Sequence, residues 1–355
     1  MDLSSVLAAD RSMQQIENAG HIVAHIGGDC GGAFNQPTQQ IVERHLERDF
    51  ESPNVANHPA FLYLLGDIVY YNAETQYEEQ FYLPYENYLG AIVSVPGNHD
   101  VDIDFTNPRA GPTLDAWMRN FCSTTPVVAD GPNHLRTTMT QPGPYWTLET
   151  PYMRFIGLYS NVPEGGAIDD TQAKWLAGEL SAARQAGIPA AICLHHPPYS
   201  LDDEKCGSEV MIDVITRAVN DSGNQPHAVF AAHAHNYQRF TLRTTFGNQP
   251  AEIPYLVVGA LGFPLLTSMS QRVEKLPTYL PNHPGLSLDS FADDQHGYMR
   301  LDLSSKYLIG DYFTVPEAAK RNHPAVLRDS FVLDLAQRRV VPSGMTATSA
   351  VDLFH

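Results

Sequence analysis

The sequence is short of positive charge. It carries 22 Lys+Arg against 40 Asp+Glu over 355 residues, a formal charge of −18. A surface that acidic repels the phosphates of nucleic acids and anionic lipids, which argues against a nucleic-acid scaffold. A local metal-bearing cleft can still take a small anion. Cysteine is scarce as well: Cys30, Cys122, Cys193 and Cys206 form no CxxC pair. That speaks against a zinc ribbon or a thioredoxin-type site. Reduced thiols in a cytoplasmic protein are expected, with a Cys122–Cys206 bridge the one pairing left open. No run approaches the ~18 apolar residues of a membrane-spanning helix. Residues 1–20 have no basic segment and only a short apolar run at 6–9, so no secretory signal is expected. Internal repeats and low-complexity segments are missing too.

What is present is a set of short apolar runs that end abruptly in polar residues. At 190–194 five apolar residues run into His195-His196-Pro197-Pro198. Such a run fits a buried strand of a parallel sheet, and the prolines stop its ladder because they have no N–H to donate. The carboxyl end of a strand is where open α/β sheets bind ligands. Four other runs have this form. Residues 21–26 end at Gly27-Gly28-Asp29-Cys30-Gly31-Gly32, where the glycines are read as letting the backbone bend sharply. Residues 60–65 end at Gly66-Asp67, with Tyr70 three positions on. Residues 91–95 end at Pro96-Gly97-Asn98-His99-Asp100, and residues 228–232 at His233-Ala234-His235. All five are expected to converge on one site. Each residue alone has a plain explanation: Asp29 and Asn98 as turn residues, His195 as a cap, His25 as a satisfied core histidine.

Helical spacing occupies 38–50, 73–89, 169–186 and 208–220. The repeated alternation of strand and helix marks βαβ units and a parallel sheet. Strands are also expected at 145–148, 153–158 and 254–260. Residues 298–303, 308–315 and 330–335 alternate as antiparallel strands, expected to form a second sheet packed on the first. Residues 101–144 read as an insertion at the mouth of the site, with one helical patch near 114–121, and 261–296 as a second irregular insertion. The chain is taken as a single domain over 1–355, with its motifs in 28–239 and strands to about 341.

Carboxylate, imidazole and amide oxygen suit borderline-hard transition metals, and they outnumber the ligands one ion can use. A shared carboxylate can bridge two ions in the way in-line phosphoryl displacement needs. The order GD…GDxxY…GNHD…HHPP…HxH resembles the calcineurin-like metallophosphoesterase superfamily. Within it the pattern looks most like purple acid phosphatases, because Gly31 stands where most of the superfamily has histidine and Tyr70 stands in the GDxxY position. Ala232 departs from the usual GHxH, which tightens the backbone and removes no ligand.

The resemblance implies a four-layer α/β/β/α sandwich of two mixed sheets and two metal ions, iron with iron, zinc or manganese. One ion would take Asp29, Asp67, Tyr70 and His235. The other would take Asp67, Asn98, His195 and His233, with Asp67 bridging. It also implies a hydroxide held between the metals that attacks phosphorus, with His99 on the leaving oxygen. Asp100 is a candidate to orient His99. His196 stays open between a substrate contact and a supporting role. The expected activity is phosphomonoester hydrolysis on a small phosphoester. A phosphodiesterase of the same superfamily and an inactive binding protein are the alternatives. No oligomeric state follows.

Overall fold

The computed structural model describes residues 1–8, 11–32, 37–71, 73–102, 112–128, 136–160, 166–270, 273, 275–318 and 322–341. Two mixed sheets stack face to face. The first is built on parallel β1 (His21–Gly27), β2 (Pro59–Leu64) and β3 (Ala91–Ser94). On its other side β1 pairs antiparallel with β12 (Gly297–Ser304), followed by β13 (Tyr307–Thr314), β14 (Val326–Asp334) and β15 (Arg339–Val341). The second sheet runs from β4 (Trp146–Glu149) through β5 (Arg154–Gly157), β6 (Ala190–Cys193) and β7 (Ala228–Ala231) to β9 (Gln249–Val258). It then continues through β8 (Tyr237–Phe246), β11 (Leu286–Ala292) and β10 (Thr278–Tyr279).

Side-chain alternation sorts the layers. Ile22, Ala24, Ile26, Phe61 and Tyr63 of the first sheet meet Phe155, Ala191, Cys193, Ala228 and Phe230 of the second in one buried core. On the outer face of the first sheet, Leu62 and Leu64 pack under α2 (Thr38–Glu47), α3 (Ala73–Tyr77) and α4 (Asp115–Phe121). On that of the second, Ile156, Ile192 and Val229 pack under α5 (Asp170–Ala186) and α6 (Glu209–Ser222). This is the α/β/β/α sandwich. The remaining helix, α1 (Met13–Ala19), leads into β1 and is closed by a Ser12/Gln15 capping box and by Gly20 at φ 74°. Asp169 caps α5 and Gly187, at φ 67°, ends it, as the sequence indicates.

Two expectations need correction. The alternating strands at the C-terminal end join the sheet of β1–β3 and do not build the second one. Segment 261–296 is only partly irregular, since it supplies β10 and β11, and β8 was not foreseen at all. In segment 101–144 the helical patch expected near 114–121 is α4, whose Phe121 packs on Phe81 at 5.2 Å and on Tyr77 at 6.3 Å. Stretches 103–111 and 129–135 of that segment lie outside the described residues. All four cysteines are free. No described helix is long and apolar enough to cross a membrane.

Candidate metal centre

The carboxyl ends of both parallel sets meet at one edge of the sandwich. Gly28 N–H donates to the Val258 carbonyl at 2.8 Å, joining β1 to β9 of the other sheet. His195 Nδ1 lies 2.8 Å from the Leu65 carbonyl, joining β6 to β2. Close approach explains several glycines. A Cβ on Gly28 would stand 2.5 Å from the Ala232 Cβ, and one on Gly97 would stand 2.2 Å from Asp67 Oδ1. At the ends of β1, β2 and β7 the functional residue itself takes the bend: Asp29, Asp67 and His233 have φ of 57°, 52° and 69°. None of the glycines from Gly27 to Gly32 has positive φ, so they serve packing and not the turn. Left-handed backbone at a residue with a Cβ costs about 1–2 kcal/mol, and its concentration here marks a functional edge.

The candidate ligands fall into two groups. In one, Tyr70 O–H donates to Asp29 Oδ1 at 3.2 Å, His235 Nε2 lies 3.4 Å from the same oxygen, and Tyr70 Oη lies 3.5 Å from His235 Nε2. In the other, His195 Nε2 lies 3.0 Å from Asn98 Oδ1, 3.2 Å from His233 Nδ1 and 3.4 Å from Asp67 Oδ2. Asp29, Asp67 and His195 offer ligand atoms within 4.8 Å of one another, so the two groups adjoin, and His195, His196 and His233 form a second cluster of that size. Donors sharing an ion at ~2.0–2.2 Å stand roughly 3–3.5 Å apart, so both groups have the size of a coordination shell. The donors are oxygen and nitrogen, which fits the metals expected from the sequence.

The supporting contacts orient these rings. His195 and His235 turn Nδ1 to the carbonyls of Leu65 and Leu265, at 2.8 and 2.9 Å, leaving Nε2 for the site. His233 N–H donates to Asp29 Oδ2 at 2.7 Å. His196 is 1% exposed, its Nδ1 lies 3.2 Å from Ser160 Oγ, and its Nε2 has no hydrogen-bond partner among the described residues. His99 is exposed at the mouth, its ring 4.5 Å from that of Tyr70, while its N–H donates to Asp67 Oδ1 at 2.8 Å.

Asp100 differs from its expected role. Its carboxylate accepts the N–H groups of Gly97, Ile68 and Val69 at 2.8, 3.0 and 3.3 Å, so it clamps two loops from beneath. An adjacent residue whose carboxylate is committed inward does not orient His99.

The electrostatics follow from burial and pairing. Burial opposes charge on His195, but the Asp67 carboxylate outweighs it and lifts the imidazole to about 9. In turn His195 holds Asp67 low against the effect of burial. Burial, then the His195 charge, lowers His196 to about 3 and lowers His233 as well. Burial and the Asp29 charge keep the Tyr70 phenol protonated. Of the ligand imidazoles His233 stands unprotonated, while His195 holds a proton beside the Asp67 carboxylate that a bound cation would displace.

Residues that the sequence did not flag complete the site. Gln80 grips Tyr70: its Oε1 accepts Tyr70 N–H at 2.8 Å and its Nε2 donates to the Tyr70 carbonyl at 3.0 Å. Phe263 lies 4.1 Å from the Tyr70 ring and 4.7 Å from that of His235. Ser160 follows β5, a sixth strand end of the same form, and was the one readable signal.

The sequence matches the family described as calcineurin-like phosphoesterase over residues 25–237. No curated protein matches it. Many solved structures are similar in fold, among them these two. One is described as GAP50, the anchor in the inner membrane complex of Plasmodium, with 13% identity, 87% of this chain and 90% of that chain covered, and a TM-score of 0.56. The other is a structure of PhoD, with 12% identity, 92% and 72% covered, and a TM-score of 0.57.

Proposed function

The chain belongs to the calcineurin-like phosphoesterase family, whose members are metal-dependent phosphoester hydrolases, and on that premise we propose that it is a phosphomonoesterase of the purple acid phosphatase kind. The observation that carries the finer reading is at Gly31. A Cβ there would come within 2.7 Å of Tyr70 Cδ2 and of Gln80 Oε1, so the tyrosine fills the space a histidine at 31 would need. One ion is assigned to Asp29, Tyr70 and His235, another to Asn98, His195 and His233, and Asp67 is shared. When bound, the pair supplies Lewis acidity and an activated water for in-line displacement.

The protein's own groups do the rest. The Leu65 and Leu265 carbonyls fix which nitrogen each ligand histidine presents. Asp100 holds the Gly97 and Ile68 loops together, which sets the distance between Asn98 and Asp67. His99 stands at the mouth, where it can pass a proton to the departing oxygen. His196 is assigned to the wall behind His233, 4.5 Å from it between ring centres.

The test uses purified protein loaded with iron under oxidising conditions. A visible tyrosinate band is expected, together with faster hydrolysis of an aryl phosphate than of a bis-aryl phosphate. Tyr70→Phe should bleach the band. A colourless loaded protein would remove the purple assignment, and preference for the bis-aryl ester would make it a diesterase.

A further inference from the structure

Asp202 is wholly buried and belongs to neither ligand group. Among the described residues it forms no ion pair, yet four donors meet its carboxylate. Oδ1 accepts the N–H groups of Glu204 and Lys205 at 2.8 and 2.7 Å. Oδ2 accepts Asn236 Nδ2 at 2.7 Å and the Thr267 hydroxyl. A buried carboxylate is tolerated only when it is satisfied in this way.

The four donors come from three segments. Glu204 and Lys205 lie in the loop that follows His195 and His196. Asn236 is the neighbour of His235. Thr267 belongs to the segment after β9, whose Leu265 carbonyl holds the His235 ring at 2.9 Å. Thr267 also grips the His235 backbone. Its Oγ accepts His235 N–H at 3.1 Å, and its own N–H donates to the His235 carbonyl at 3.2 Å. The Asn236 amide further reaches the Thr267 carbonyl at 3.2 Å. Ring and backbone of His235 are therefore both set by residues 265–267, and Asp202 sets where those residues sit.

We propose that Asp202 is a positioning residue. Through Thr267 it fixes the His235 ring, and so tunes metal affinity in the Asp29–Tyr70–His235 half of the centre without touching an ion. This rests on the two-ion reading above. An amide at 202 does not substitute: whichever way it turns, its NH2 replaces an acceptor with a donor that faces other donors.

The experiment titrates the metal-free full-length protein with zinc alone against a competing chelator, and records metal-free thermal stability in parallel. Wild type should bind two ions. Asp202→Asn and Thr267→Val should each lose about 10–100-fold in affinity for one ion only, the range for removing a group that orients a ligand. Thr267→Ser keeps the hydroxyl and should bind as wild type does. Asn224→Ala removes a buried hydrogen bond to the Leu180 carbonyl between α5 and the turn after α6, and serves as a control for lost stability alone. It should lower thermal stability and leave both affinities unchanged. If Asp202→Asn and Thr267→Val bind two ions as tightly as wild type, the proposal is wrong and the two-ion reading stands. If wild type itself binds fewer than two, the reading beneath it fails. Should Asp202→Asn not fold, Thr267→Val against Thr267→Ser decides.

Discussion

His99 shows how one residue can serve a site at both ends. Its backbone N–H is tied to Asp67, and its ring lies exposed at the mouth against Tyr70. His99→Ala should keep the metals and lower kcat by about 10²–10⁴, the range for a lost general acid. The loss should shrink for esters with good leaving groups, measured across a series of aryl phosphates; an equal loss across the series would reduce His99 to a positional role. Six of the seven candidate ligands were legible in the sequence because they follow an abrupt end to an apolar run; Tyr70, a type that strands favour, came only from the GDxxY resemblance. Gln80 and Phe263 were not. Glutamine in a Tyr- and Glu-rich segment looks like surface, and Phe263 follows a run of strand and turn residues with nothing polar to mark it. Their roles exist only once distant segments meet. Asp100 was misread for the opposite reason: adjacency to His99 says nothing about which way a carboxylate turns.

At the scale of elements, the site depends on two sheets approaching within backbone contact. Gly28 and Ala232 are the point of closest fit, at 2.5 Å for an added Cβ. Gly28→Ala should therefore destabilise the protein by about 1–3 kcal/mol, the usual cost of overpacking. Adding Ala232→Gly should recover part of it. Urea unfolding of the two single variants and the double variant measures this coupling, and strict additivity would contradict the contact. The glycines at 27–32 were visible as a cluster, but their purpose was not, because packing against another sheet leaves no local pattern. The hairpin of β8 and β9 was missed though its Gly247 turn, at φ 60°, is in plain view. The first five residues of β8 are buried on both faces, which erases the alternation that identifies a strand.

For the molecule as a whole, chain order misled where it was taken for layer order. The last strands return to β1 and widen the first sheet, a crossover that short-range pattern does not encode. The stacked layers also bury His227, 8% exposed, whose Nδ1 accepts Ala190 N–H at 3.3 Å. Burial, then the Arg338 charge, lowers it to about 3. A lowered imidazole favours the neutral form in the folded state. Its contribution is thus complete above pH ~6.5 and is lost as pH falls towards the folded value. Between pH 7 and 5 this group alone should cost about 2 kcal/mol, a loss that His227→Gln should lack in urea unfolding at the two pH values. If wild type and variant lost equal stability, His227 would not be the acid-sensitive group. The central claim is a hydrolase that needs two ions held by one set of seven residues. Its most direct test is to add metal stepwise to metal-free protein while following bound metal and aryl phosphate hydrolysis together. Activity should rise to a break at two equivalents per chain; full activity at one equivalent, or none with two ions bound, would contradict it.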